Sequence, residues 1–166
     1  ASYGSLLAIK LLFGGHKITM VCLPNEVEAF KSDGAHVRMP IRGRKDPIDL
    51  DSRKLPGALR AAAPGDVNPK DYDLVVLAMQ EPQYRSPGVR ELLDGVARAK
   101  VPCMSIMNIP PLPYMARIPG VNVDQLRSVY TDPTVWDNFT PDKLTLCSPD
   151  PQAIRPPGEK INFLLV

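Results

Sequence analysis

The sequence predicts an α/β protein with a mostly parallel sheet and helices on both faces, on three observations. Asp73-Leu74-Val75-Val76-Leu77-Ala78-Met79 and Val101 to Met107 are near-continuous apolar runs, the composition of strands buried on both faces. Segments of helical period alternate with them: Ser5 to Phe13, and Pro87 to Lys100 with Val89, Leu92, Leu93 and Val96 at helical spacing. The chain also opens on Ala1-Ser2-Tyr3-Gly4, which leads through a helix and Gly14-Gly15 into the apolar run Ile18 to Leu23. Glycine turn, helix and strand in that order make up the later part of the first βαβ unit of a dinucleotide-binding fold.

Gly4 takes the third place of a G-x-G-x-x-G fingerprint, where the missing side chain lets helix and strand pack closely. By that spacing Ala1 takes the second place, and the first glycine and its strand would precede residue 1. The expected architecture is Rossmann-like: a doubly wound, three-layer, mostly parallel sheet with its first strand missing from this sequence.

The other elements follow in order. Helix 5–13 is stopped by the glycine pair. Strand 18–23 is broken by Pro24-Asn25, and Glu26 to Ser32 forms a short helix ending at Gly34. From His36 to Leu55, apolar alternations (Val37-Met39-Ile41, Ile48-Leu50) are interleaved with Arg38, Arg42, Arg44, Lys45, Arg53 and Lys54. That pattern predicts a solvated strand pair or an excursion around a third strand. Strand 73–79, helix 87–99 and strand 101–107 come next, and Gln125 to Val135 and Leu144 to Cys147 read as later strands around a loop holding Trp136.

Prolines cluster at 102–119 and 149–157, which are expected loops and edges. Pro156-Pro157-Gly158 marks a boundary, after which Lys160 to Val166 begins a new apolar segment. Residues 1–157 are therefore expected to form the nucleotide-binding domain, truncated at its start. Residues 158–166 would begin a connector to a helical C-terminal domain, so the chain reads as a piece of a larger protein.

Bulk composition narrows the function classes. A net charge of +2 gives no global case for nucleic-acid binding. No apolar run approaches the roughly 20 residues that span a bilayer, and no signal-peptide pattern is present. The three cysteines, Cys22, Cys103 and Cys147, are far apart, odd in number and not accompanied by histidine, which favours buried thiols over a disulfide or a metal. A reducing cytoplasm fits.

The order Gly4, Gly15-His16, strand 18–23, then Gln80 and Gln83 in Met79-Gln80-Glu81-Pro82-Gln83, then Asn108 after the strand ending Ile106-Met107, resembles the cofactor domain of the ketopantoate reductase (2-dehydropantoate 2-reductase) family over roughly residues 1–157. In that family Gln80 answers to a lysine beside the cofactor, Ile109 to a glycine, and a position at or near Leu23 to the arginine that takes the 2′-phosphate of NADP. No Asp or Glu is read at that strand end to bind a ribose diol. The resemblance implies that the catalytic lysine and a key carboxylate lie in a helical second domain outside this sequence, so no catalytic residue is assigned here.

Each candidate has two readings. Gly4 is either a packing glycine at a helix start or the turn whose backbone N–H groups hold a pyrophosphate. Ser2 and Tyr3 flank it, Ser2 by a hydroxyl contact and Tyr3 by contact or packing. Gln80, Gln83 and Asn108 lie just past the carboxyl ends of expected parallel strands, where open α/β sheets bind ligands. Their amides suit adenine, ribose or carboxamide edges, or else cap the next turn. Leu23 and Asn25 border the 2′-position, with Lys31, Arg38 or Arg42 available to fold back. His16 is read as structural or solvated, and Trp136 as a core plug under a loop or a surface anchor for a partner.

The function implied is NADP(H) binding, with NAD left open, in an oxidoreductase that transfers hydride to a 2-oxo acid or similar carbonyl. An opine-dehydrogenase-like enzyme and a non-catalytic nucleotide-binding module are the alternatives. No metal, nucleic acid or membrane partner is expected, and a homodimer is left open.

Overall fold

The computed structural model describes residues 2–39, 43–106 and 109–147. The chain divides into two compact units, Ala1–Asn68 and Pro69–Val166.

In the N-terminal unit, α1 (Ser2–Phe13) stops where Gly15 takes φ 79°, a left-handed turn that only glycine adopts freely. The N–H groups of Gly15 and His16 then close back on the carbonyls of Leu12 and Leu11. β1 (Lys17–Val21) follows. Pro24 does not open a loop. It takes the first position of α2 (Pro24–Asp33), where its missing N–H removes no helical bond, so this helix begins earlier than expected. β2 (His36–Met39) and β3 (Ile48–Asp51) form an antiparallel hairpin, the expected strand pair.

β4 (Ala58–Ala62) then returns parallel to β1, in register from Lys17 opposite Ala58 to Val21 opposite Ala62. Gly57 makes this return possible. A Cβ there would lie 2.9 Å from Leu12 Cα and closer still to the His16 carbonyl oxygen. Ile9, Leu12 and Ala35 are buried at the centre, with Ile18, Phe30, Val37 and Leu59 packed around them.

In the C-terminal unit, β5 (Val75–Leu77), β6 (Cys103–Ser105) and β7 (Leu144–Leu146) form a parallel sheet in the order β5-β6-β7. The two central runs are thus strands as expected, though each is three residues long. α3 (Val89–Ala99) joins β5 to β6 and buries Leu93, Val96 and Ala97 against the sheet layer, as its sequence period requires. Tyr84 and Trp136 meet edge to face at 5.3 Å in this core, and the Phe139 ring packs tilted against the same indole at 5.9 Å. Trp136 is 2% exposed, the core plug anticipated for it.

One expected strand is absent. Residues 125–135 hold no strand: after α4 (Leu112–Met115) come α5 (Val123–Leu126) and 3₁₀ turns at Arg127–Val129 and Pro133–Trp136, with a bend at 130–131 between the last two. Local side chains decide this. Asn122 Oδ1 accepts from the N–H groups of Asp124 and Gln125, Asp132 Oδ1 accepts from that of Thr134, and Pro133 has none to give a ladder. The fold is mixed α/β with small, mostly parallel sheets. Among the described residues the strands close no barrel, and no helix is long and apolar enough to cross a membrane.

Candidate functional site

In the N-terminal unit, Gly4 lies in the first turn of α1 and is half-buried. Ser2 and Tyr3 contribute backbone to the same turn, and their side chains fall outside the described residues. At the other candidate position, β1 continues past its carboxyl end, and Cys22 donates its N–H to Ala62 O at 3.1 Å. Leu23 then caps α2 in extended conformation, its side chain 59% exposed. Asn25 is exposed in the first helical turn. Leu23 and Asn25 are thus presented together at the strand end.

Sequence reasoning missed a group here. Glu26 lies five residues past the last residue of β1, but its Oε2 folds back to accept the Leu23 N–H at 3.1 Å. This strand end therefore does carry a carboxylate. The signal available was an acid at the third position of a proline-started helix, the place from which a side chain reaches back to the cap. The charge is felt locally: the Cys22 thiol is pushed up by burial and, secondarily, by Glu26. Two of the basic residues available to fold back are engaged elsewhere. Lys31 pairs with Glu28 at 2.8 Å, and Arg38 grips both oxygens of Asp49. Arg42 lies outside the described residues.

In the C-terminal unit, Gln80 and Gln83 are both exposed, just past the carboxyl end of β5. The turn brings them together. Gln80 donates its N–H to Gln83 Oε1 at 2.8 Å, and Gln83 donates its N–H back to Gln80 O at 3.0 Å. Gln83's amide oxygen is thus engaged in capping, one of the two readings its sequence position allowed. Asn108 lies outside the described residues.

Beneath the glutamine turn, Tyr84 is fully buried, and its hydroxyl donates toward Met79 O at 3.5 Å. Its pKa is pushed up to about 12 by burial, with the nearby Ser105 hydroxyl pulling the other way. Ser105 Oγ is itself buried and meets no partner in good geometry among the described residues. Cys103 is also pushed up to about 12 by burial, so its thiol stays neutral and unreactive. His16 is exposed, consistent with a solvated histidine.

The groups described past the two strand ends are hydrogen-bonding ones, the Leu23–Glu26 cap and the Gln80–Gln83 turn. The resolved shifts of buried thiols and phenols run upward, and those of Asp49, Asp132 and Asp142 run downward. They move these groups away from neutrality, where a general acid or base works best. Among the described residues, no group of three or more His, Cys, Asp or Glu is placed to hold a metal ion. No protein-family model, curated protein or solved structure matches this chain.

Proposed function

We propose that the chain is the NADP(H)-binding part of an oxidoreductase resembling ketopantoate reductase, handing hydride to a 2-oxo acid or similar carbonyl. What supports the reading is the strand order within each unit. Counting β1 as the second strand and the β2–β3 hairpin as an excursion, β4 and β1 are strands three and two side by side. β5, β6 and β7 are likewise strands four, five and six. All these pairs are parallel. The doubly wound order 3-2-1-4-5-6 requires those neighbours of its two flanks.

In this reading, backbone N–H groups in the first turn of α1 at Gly4 face the pyrophosphate. Leu23, Asn25 and Glu26 border the adenosine ribose, and the family resemblance in the sequence alone assigns Gln80, Gln83 and Asn108 to the same cofactor. The chain orients cofactor, and the nicotinamide supplies the hydride. A general acid from outside this sequence protonates the resulting alkoxide.

Glu26 bears on cofactor choice. With a carboxylate at the strand end and no arginine beside it among the described residues, selectivity for NADPH over NADH stays small, roughly tenfold at most. Binding constants for both nucleotides at two salt concentrations test this. A hundredfold preference for NADPH that collapses in salt, or no binding of either nucleotide, overturns the reading.

A further inference from the structure

The N-terminal unit holds a second feature, independent of the cofactor reading. An open cleft of about 350 Å³ runs beside β4, lined by α2, the Ser52–Lys54 turn and β4 but by no residue of β1. It therefore follows the edge of β4 that faces away from its partner strand. Backbone hydrogen bonds fix which groups lie there. Ala58 donates to His16 O, and Ala62 O accepts from Cys22 N–H, so residues 58, 60 and 62 bond toward β1. Strand alternation then turns the N–H and C=O of Leu59 and Ala61 outward, and both residues line the cleft. Among the described residues no backbone partner meets them.

The side chains around this edge have one sign of charge. Lys31, Arg53 and Arg60 line the cleft, and no carboxylate does. Arg60 is exposed and has no ion pair among the described residues. Lys31 is bound to Glu28 with both side chains more than half exposed, and exchanging such a surface pair for another acid costs little. Arg53 stays bound to Asp51, whose side chain is 13% exposed, but its own side chain is more than half exposed. The α2 carbonyls that would repel an acid are partly capped, by Gly34 N–H on Phe30 O and by Arg53 Nη1 on Ser32 O. Phe30 and Leu59 supply an apolar floor.

We propose that this edge receives an extended acidic peptide segment by strand addition. The outward N–H and C=O groups of Leu59 and Ala61 would bond the peptide backbone. Its apolar side chains would rest toward Phe30, and its carboxylates would reach Arg60, Arg53 and Lys31.

The test is titration of the chain with a synthetic hexapeptide of alternating glutamate and valine, followed by amide NMR, with a lysine–valine peptide as control. Expected are shifts and slowed hydrogen exchange at Leu59 and Ala61, no response to the lysine peptide, and affinity that falls with salt. The exposed substitution Arg60→Glu, checked for an otherwise unchanged amide spectrum, should weaken binding about tenfold or more. Equal binding of the two peptides, shifts that avoid Leu59 and Ala61, or undiminished binding to a folded Arg60→Glu variant would each overturn the proposal.

Discussion

In the C-terminal unit the middle strand, β6, is hydrogen-bonded along both edges and packed under Tyr84, Leu93, Trp136 and Leu144. In the N-terminal unit, β1 and β4 have only each other among the described residues, over a buried centre of Ile9, Leu12 and Ala35. The contrast shows where binding capacity is left. Where both edges of a strand are closed, polar atoms such as Ser105 Oγ are sealed in and thiols such as Cys103 are neutralised by burial. Where an edge stays open, backbone donors, exposed cations and a strand-end carboxylate remain available to a ligand.

The largest effect should come from opening the core packed on β6. Trp136→Ala removes the centre of the Tyr84–Trp136–Phe139 stack and should cost about 4 kcal/mol of stability. Trp136→Phe should cost much less, because Nε1 gives up no hydrogen bond found among the described residues. Urea unfolding of both variants measures this, and equal losses would mean that the indole N–H has a partner.

In the N-terminal unit the comparable weak point is backbone, not side chain. Gly57→Ala must displace Leu12 or His16 and should cost about 2 kcal/mol, whereas Gly65→Ala meets open space and should stay within about 0.5 kcal/mol. Matching unfolding midpoints for the two would show that β4 is not held so tightly against α1.

The smallest effect concerns the tie between α3 and the Pro133 turn. Arg90 reaches Asp132 Oδ2, Thr134 Oγ1 and Thr134 O, and Arg90→Ala should cost about 1 kcal/mol after allowance for partial exposure. Asp132 is held below its ordinary value of 3.8, first by the Thr134 hydroxyl, then by the Thr134 amide and the Arg90 charge. A depressed carboxyl contributes stability that is present above its unfolded value and lost as pH falls through the lower folded one. Acid titration of unfolding free energy should therefore be shallower below pH 3.8 in Asp132→Asn than in the wild type. Identical slopes would remove Asp132 from the account.

Much of the fold is legible in the sequence because a few strong local patterns control it. The runs 73–79 and 101–107 and the amphipathic 87–99 announce strand, strand and helix, and the glycine pair at 14–15 announces the end of α1. Residues 125–135 mislead because Asn122 and Asp132 cap turns that apolar composition alone does not reveal. The candidate site was legible only in part. Positions after β1 and β5 could be placed by strand ends, but the folding back of Glu26 onto Leu23 and the Gln80–Gln83 closure are tertiary choices of side chains. The open edge of β4 depends on which residues bond to β1, and no periodicity encodes that.

The central claim is that the first turn of α1 holds a dinucleotide, and titration of NADPH followed by nicotinamide fluorescence tests it most directly in three proteins: wild type, Gly4→Val and Lys100→Ala. A branched side chain at Gly4 would push the helix start away and misaim its N–H groups, while Lys100 caps the carboxyl end of α3 in the other unit and is given no part in the proposed site. The account predicts wild-type affinity for Lys100→Ala and a loss of about tenfold or more for Gly4→Val. Equal affinity in wild type and Gly4→Val would contradict it, reducing Gly4 to a packing residue and removing the ground for a cofactor at this turn.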